Sequence, residues 1–139
     1  MVPALNEEMG IRRVLQDMPK DLDVLVVNGG SADETVEVAK QYRAIVIRQK
    51  FGRGKGFGVR TGMEFFLGTK HDVLCMIDGD GSNDPRELPK MVEAMEDEFL
   101  DIDSSDARTK LRCLGDIANR FHLSKRENEG YVVPAHPHI

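Results

Sequence analysis

Cysteine is scarce in this chain: Cys75 and Cys113 are the two present, and they form neither a CxxC pair nor a zinc-ligand spacing. Cys75 lies inside the apolar run 73–77 and reads as a small buried hydrophobe. No leader-type segment is evident, and no apolar run is long enough to span a bilayer. The expected location is therefore the cytoplasm, with peripheral contact at the cytoplasmic face of a membrane left open. An excess of positive charge is also missing. The net charge is −5, so nothing global invites nucleic acid. Internal repeats are absent. The remaining composition, 40% apolar and 31% charged over 139 residues, suits one soluble globular domain with a core of its own.

Taken in order, the chain alternates. Pro3 cannot continue a central strand, so a first strand is expected to end there. Asn6 is positioned to cap a helix with Glu7 and Glu8 in its first turn. Ile11, Val14, Leu15 and Met18 recur at helical spacing, and Pro19 stops the helix. Val24-Leu25-Val26-Val27 reads as a buried parallel strand. Ser31 and Glu34 then form a capping box, followed by a helix face of Val36, Ala39 and Tyr42. Ala44 to Ile47 is a third strand candidate, and Val73 to Ile77 a fourth. Strands alternating with helices predict an α/β fold with a mostly parallel sheet and flanking helices.

Two stretches carry chemistry. The first is Arg48–Arg60, where Gly52, Gly54, Gly56 and Gly58 interleave with Lys50, Arg53, Lys55 and Arg60. Neither GxGxxG nor a P-loop fits its register. A solvated loop suits this composition, and so does a loop whose backbone and cations face a diphosphate. The second is Asp78-Gly79-Asp80, at the carboxyl end of an apolar run, where open α/β sheets bind ligands. Two hard oxygen donors there suit Mg²⁺ or Mn²⁺ with phosphate as co-ligand, although Asp-Gly-Asp is also common in plain turns. Asp84, Pro85 and Glu87 mark a helix start, continued by an apolar stripe of Leu88, Met91, Val92, Met95 and Phe99.

Several of these stretches coincide with one known pattern. Pro3–Glu8, Val26–Thr35, the basic Gly54-Lys55-Gly56…Arg60-Thr61-Gly62 segment and Asp78–Pro85 appear in the order found in family 2 glycosyltransferases of the GT-A fold. Within that family the chain resembles the dolichyl- or polyprenyl-phosphate mannosyl- and glucosyltransferases. The resemblance covers residues 1–99 as a nucleotide-sugar-binding core. Residues 100–123 then read as an acidic loop and an amphipathic helix (Leu111 to Phe121), and 124–139 as a polar, flexible tail.

The resemblance implies roles. Pro3, Leu5 and Glu7 would line the nucleoside pocket, and Asn28 would meet the base edge. Asp78 and Gly79 would hold the sugar-nucleotide side, Asp80 would ligate the metal, and Ser82 stands where many relatives carry a metal-supporting glutamine. Lys55 or Arg60 would offset the charge of the diphosphate. Arg108 is the nearest match to an arginine that meets an acceptor phosphate. The donor would be a GDP- or UDP-linked sugar, and the reaction an inverting transfer to a polyprenyl phosphate. Against the family pattern the chain reads as truncated at both ends, with Asn28 in place of an aspartate. A non-catalytic remnant that binds nucleotide or a partner subunit is the alternative. No oligomeric state is fixed.

Overall fold

The structure, a computed structural model, describes residues 1–93 together with 124–126 and 130–132. Its centre is a parallel three-stranded sheet in the order β1-β2-β3. The strands are β1 (Val2–Ala4), β2 (Leu25–Asn28) and β3 (Ile45–Arg48), joined through α1 (Glu8–Gln16) and α2 (Thr35–Gln41). Val26 faces Val2 on one side and Val46 on the other, so β2 is paired along both edges.

Side-chain alternation on β2 divides the core. Val26 joins Ile11, Val14, Leu15, Val38 and Ala39 on the face covered by α1 and α2. Leu25 and Val27 turn the other way, onto Met1, Val59 and Met63, the last two from α3 (Lys55–Leu67). A period of two along the strand thus supplies both layers. α2 buries Thr35, Val38 and Ala39, whereas Tyr42 is exposed. The predicted face of Val36, Ala39 and Tyr42 was therefore rotated.

The sheet departs from expectation around Pro3. This residue does not end β1 but lies inside it, opposite Val27. Ala4 accepts from the Gly29 amide on the β2 side, while the Met1 carbonyl accepts from the Ile77 amide on the other side. Parallel strands alternate their bonding edges residue by residue, so the N–H that Pro3 lacks falls on the Ile77 side. The Met1 amine donates to the Cys75 carbonyl at 2.7 Å, and the pairing goes no further. Residues 73–77 consequently run beside β1 without forming the fourth strand.

Two further corrections concern local signals. The glycine-rich loop runs into a helix, as the spacing of Val59, Met63, Phe66 and Leu67 suggests, but α3 begins already at Lys55, so half of the expected loop is helix. The tail expected to be flexible contains an antiparallel pair, β4 (Ser124–Arg126) with β5 (Gly130–Val132). Tyr131 and Val132 are residue types that favour strands. The Asp84–Pro85 signal does start a helical segment. Asp84 accepts from the Arg86 amide, Pro85–Glu87 is a 3₁₀ turn, and residues 88–93 are helical. Leu88 is buried there, but Met91 is exposed. Met95, Phe99, the acidic loop, the Leu111–Phe121 helix and Arg108 lie outside the described residues. Among the described residues no helix is long and apolar enough to cross a membrane.

Candidate functional site

The carboxyl ends of the parallel strands open onto a cleft of about 790 Å³. Three chain segments build its walls. β1 and the turn after it contribute Pro3, Leu5 and Glu7; the turn after β2 contributes Gly29 and Gly30. The segment from β3 into α3 contributes Arg48, Gln49, Arg53, Gly54 and Lys55, and the floor is Asp78-Gly79-Asp80. Three cations and three carboxylates thus share one concave surface. This is the place on an open α/β sheet where ligands bind.

The aspartates are held by packing as well as by chain direction. α1 crosses the Asp-Gly-Asp turn through Gly10. A methyl at Gly10 would lie 2.4 Å from the Gly79 carbonyl oxygen and 2.7 Å from the Asp80 backbone. On its other side, a methyl at Gly79 would come within 3.1 Å of the Pro3 carbonyl oxygen. The glycine between the two carboxylates is therefore wedged between a helix and β1: no side chain fits at Gly10 without a backbone shift, and one at Gly79 would be tight.

The two carboxylates differ. Asp78 forms an ion pair with the Lys55 ammonium, at the first turn of α3. Asp80 is exposed and accepts from the Ser82 amide at 2.9 Å. Hydrogen bonding from Ser82, its hydroxyl first and its amide second, holds Asp80 below the usual carboxylate range, with Lys55 adding a smaller attraction. Asp80 is thus an ionised acceptor facing the cleft at neutral pH. The donor set fits a hard divalent cation that keeps water and takes phosphate oxygens as further ligands. Among the described residues no group of three His, Cys, Asp or Glu side chains converges, so these residues alone form no closed metal cage.

The cleft brings together Pro3, Leu5, Glu7, Lys55, Asp78, Gly79 and Asp80. It does not include three other residues from the sequence reading. Asn28 accepts from the Gly30 and Ser31 amides at 3.2 and 2.9 Å, and lines a smaller neighbouring pocket. Arg60 is 7% exposed, with its guanidinium 4.1 Å from the centre of the Phe51 ring. Ser82 is occupied with Asp80. Conversely, Gly29, Gly30, Arg48 and Gln49 line the cleft without having been singled out as site residues, and Arg53, named above only as one cation of the glycine-rich stretch, lines it as well. Their signal was positional, since Gly29 and Arg48 close to strand ends are where such sites form.

The two turns that flank the Pro3 side are tied to each other. The Asn6 amide donates to Ser31 Oγ (3.0 Å), and Asn6 Oδ1 accepts from the Ala32 amide (2.8 Å). The Glu7 amide donates to Thr35 Oγ1 (2.9 Å), and the Glu8 amide to Asp33 Oδ2 (3.2 Å). Asn6 therefore does not cap α1, and Ser31 does not form a capping box with Glu34. Each spends its side chain on the opposite turn. Asn6 adopts φ +53°, a left-handed conformation that asparagine tolerates better than most residues.

Comparison with known proteins agrees with this architecture. A family-wide sequence model described as "Glycosyl transferase family 2" matches residues 1–122. Glycosyltransferase AglJ of Haloferax volcanii is 33% identical over 131 residues, covering 86% of this chain and 42% of that protein. Dodecaprenyl-phosphate galacturonate synthase of Rhizobium johnstonii is 28% identical over 117 residues, covering 73% of this chain and 33% of its own length. Among solved structures, glucosyl-3-phosphoglycerate synthase from Mycobacterium tuberculosis, in complex with Mn²⁺ and uridine-diphosphate-glucose, superposes with a TM-score of 0.59. The identity is 25%, over 68% of this chain and 37% of that one. The chain thus spans less than half the length of these relatives. With a parallel sheet of the GT-A type, an Asp-Gly-Asp floor at its carboxyl edge and a family match across residues 1–122, this chain belongs to glycosyl transferase family 2.

Proposed function

We propose that the cleft binds a nucleoside-diphosphate sugar, and that the chain is the donor-binding part of a glycosyltransferase that passes the sugar to a polyprenyl phosphate with inversion. The observation that carries this reading is the convergence of Lys55, Asp78 and Asp80 on one cleft with Arg48 and Arg53. A diphosphate is the ligand class whose charge such a set balances. Asp80 and Asp78 would hold Mg²⁺ or Mn²⁺. When bound, that ion would offset the charge of the departing diphosphate. Lys55, paired with Asp78 without ligand, would move onto a phosphate oxygen as the ligand arrives. Pro3 and Leu5 offer an apolar wall to the nucleoside.

The acceptor follows from proton bookkeeping. A hydroxyl acceptor needs a general base within reach, whereas a phosphate monoester, with a second pKa of about 6, is already largely ionised at pH 7. Among the described residues, Glu7, Asp78 and Asp80 are the carboxylates that line the cleft, and the last two are assigned to the donor. A phosphate acceptor therefore needs the least additional chemistry. The names of dodecaprenyl-phosphate galacturonate synthase and of the nucleotide-bound synthase support the acceptor and donor classes respectively.

Calorimetric titration with UDP- and GDP-sugars, with and without Mn²⁺, tests the donor site. The parent chain is expected to bind at least one of them more tightly with metal, and Asp80→Ala to lose that increment while keeping its circular dichroism spectrum. Absence of binding to every nucleotide sugar would sink the reading. Adding labelled donor and polyprenyl phosphate tests transfer. Metal-dependent binding without turnover on any acceptor would instead support a non-catalytic nucleotide-binding module.

A further inference from the structure

The cross-links between the turns after β1 and β2 converge on a residue that the cleft does not touch. Thr35 is the first residue of α2 and is fully buried, at 0% exposure. Its Oγ1 accepts the Glu7 amide at 2.9 Å and donates to Asp33 Oδ1. Asp33 in turn accepts the Thr35 amide through Oδ1 (3.0 Å) and the Glu8 amide through Oδ2 (3.2 Å). A hydroxyl that gives its one proton to a carboxylate has its lone pairs directed elsewhere, so Asp33 fixes which way Thr35 accepts. Glu7 and Leu5 line one side of the cleft, and Gly29 and Gly30 the adjoining side. The separation of these two sides thus depends on bonds made behind them.

We propose that Thr35, oriented by Asp33, is a positioning residue of the donor site: its hydroxyl holds the Glu7 amide and so sets the Pro3–Glu7 wall against the Gly29–Gly30 turn. This rests on the cleft being the nucleotide site. A wall held in advance loses little freedom when ligand binds, and the affinity gained this way needs no contact between Thr35 and ligand. The sequence signal is the Asp-x-Thr spacing that leads into α2, which reads locally as a helix start but serves α1 as well.

Two substitutions separate positioning from packing. Thr35→Val keeps the shape and removes the hydroxyl, leaving the Glu7 amide without its acceptor. Thr35→Ser keeps the hydroxyl and removes a buried methyl. Binding of UDP and GDP with Mn²⁺ is measured by calorimetry, and melting temperature by circular dichroism. Thr35→Ser is expected to melt lower and bind within about twofold of the parent chain. Thr35→Val is expected to bind on the order of tenfold more weakly, the loss of about one well-placed hydrogen bond. Binding by Thr35→Val equal to the parent, or affinity that tracks melting temperature in both variants, overturns the proposal. If the parent binds neither nucleotide, the donor-site reading is what fails. Amide hydrogen exchange then decides the latch: faster exchange at Glu7 in Thr35→Val alone supports it, and equal exchange in all three chains overturns it.

Discussion

At the scale of single residues, the Lys55–Asp78 pair shows how little of a site's chemistry is stability. The lysine side chain is 59% exposed and the aspartate 36%, so solvent screens most of their attraction. Lys55→Ala is expected to change the unfolding free energy by less than about 1 kcal/mol, since exposed pairs contribute little. The same substitution removes a charge-assisted contact to the diphosphate, and nucleotide affinity should fall about tenfold or more. Urea denaturation beside calorimetric titration reads both. A large loss of stability with unchanged affinity would contradict this placement of Lys55. Asn28 illustrates the converse. Its side-chain oxygen serves the Gly30 and Ser31 amides, so its first duty is to fold the turn that carries Gly29 and Gly30 into the cleft.

At the scale of elements, α1 is a backing plate for the aspartates. Gly10 is the third residue of this helix, within its first turn, where alanine is still ordinarily more favourable, by up to roughly 1 kcal/mol. Here a methyl would strike the backbone of Gly79 and Asp80, which cannot swing aside as a flexible side-chain tip could. Gly10→Ala is therefore expected to destabilise by about 1–3 kcal/mol, the usual cost of overpacking, despite its better helix propensity. It should also weaken metal-dependent nucleotide binding, because the turn that moves carries Asp78 and Asp80. Chemical denaturation and titration with Mn²⁺ check the two effects. A more stable Gly10→Ala chain would show that α1 does not press on the motif. Nothing in the sequence around Gly10 shows what this glycine makes room for.

At the scale of the whole molecule, pH reports on how the sheet is closed beside β1. In the chain with an unmodified α-amino group, the Met1 amine is buried against the Cys75 carbonyl, and that burial lowers its pKa from 8.0 to about 6. Between these values the unfolded chain binds the proton and the folded chain does not. Stability should therefore rise with pH from 6 to 8, by up to about 3 kcal/mol, and level off outside that window. Unfolding free energies measured across pH 5–9 test this. Nα-acetylation, which removes the titration, should flatten the slope. The carboxylates give a second, acidic limb. Asp33, held low first by the Thr35 hydroxyl, and Asp84, held low first by Arg86, both lie below their ordinary 3.8, as does Asp80. What they contribute is fully present above pH 3.8 and is lost as pH falls through their lowered values.

The sequence by itself determined the alternation of strands and helices, the buried run of β2 and the placing of Asp78 and Asp80 at the edge of the sheet. These are local properties: apolar periodicity and the direction of the chain at the end of an apolar run carry them wherever the neighbours lie. Its errors were also local signals that a distant partner had claimed. Asn6 and Ser31 each suit the cap of their own helix, yet Asn6 bonds the turn containing Ala32, and Ser31 bonds Asn6. Arg60 reads as a phosphate-facing cation, yet α3 starts at Lys55, five residues earlier, and turns Arg60 inward beneath Phe51. Residues 73–77 read as a strand, yet Pro3 withholds the donor that a strand there would need. Only the tertiary structure decided these points, because a hydrogen-bonding group satisfies whichever partner the packed chain brings within about 3 Å, and sequence distance does not enter that choice.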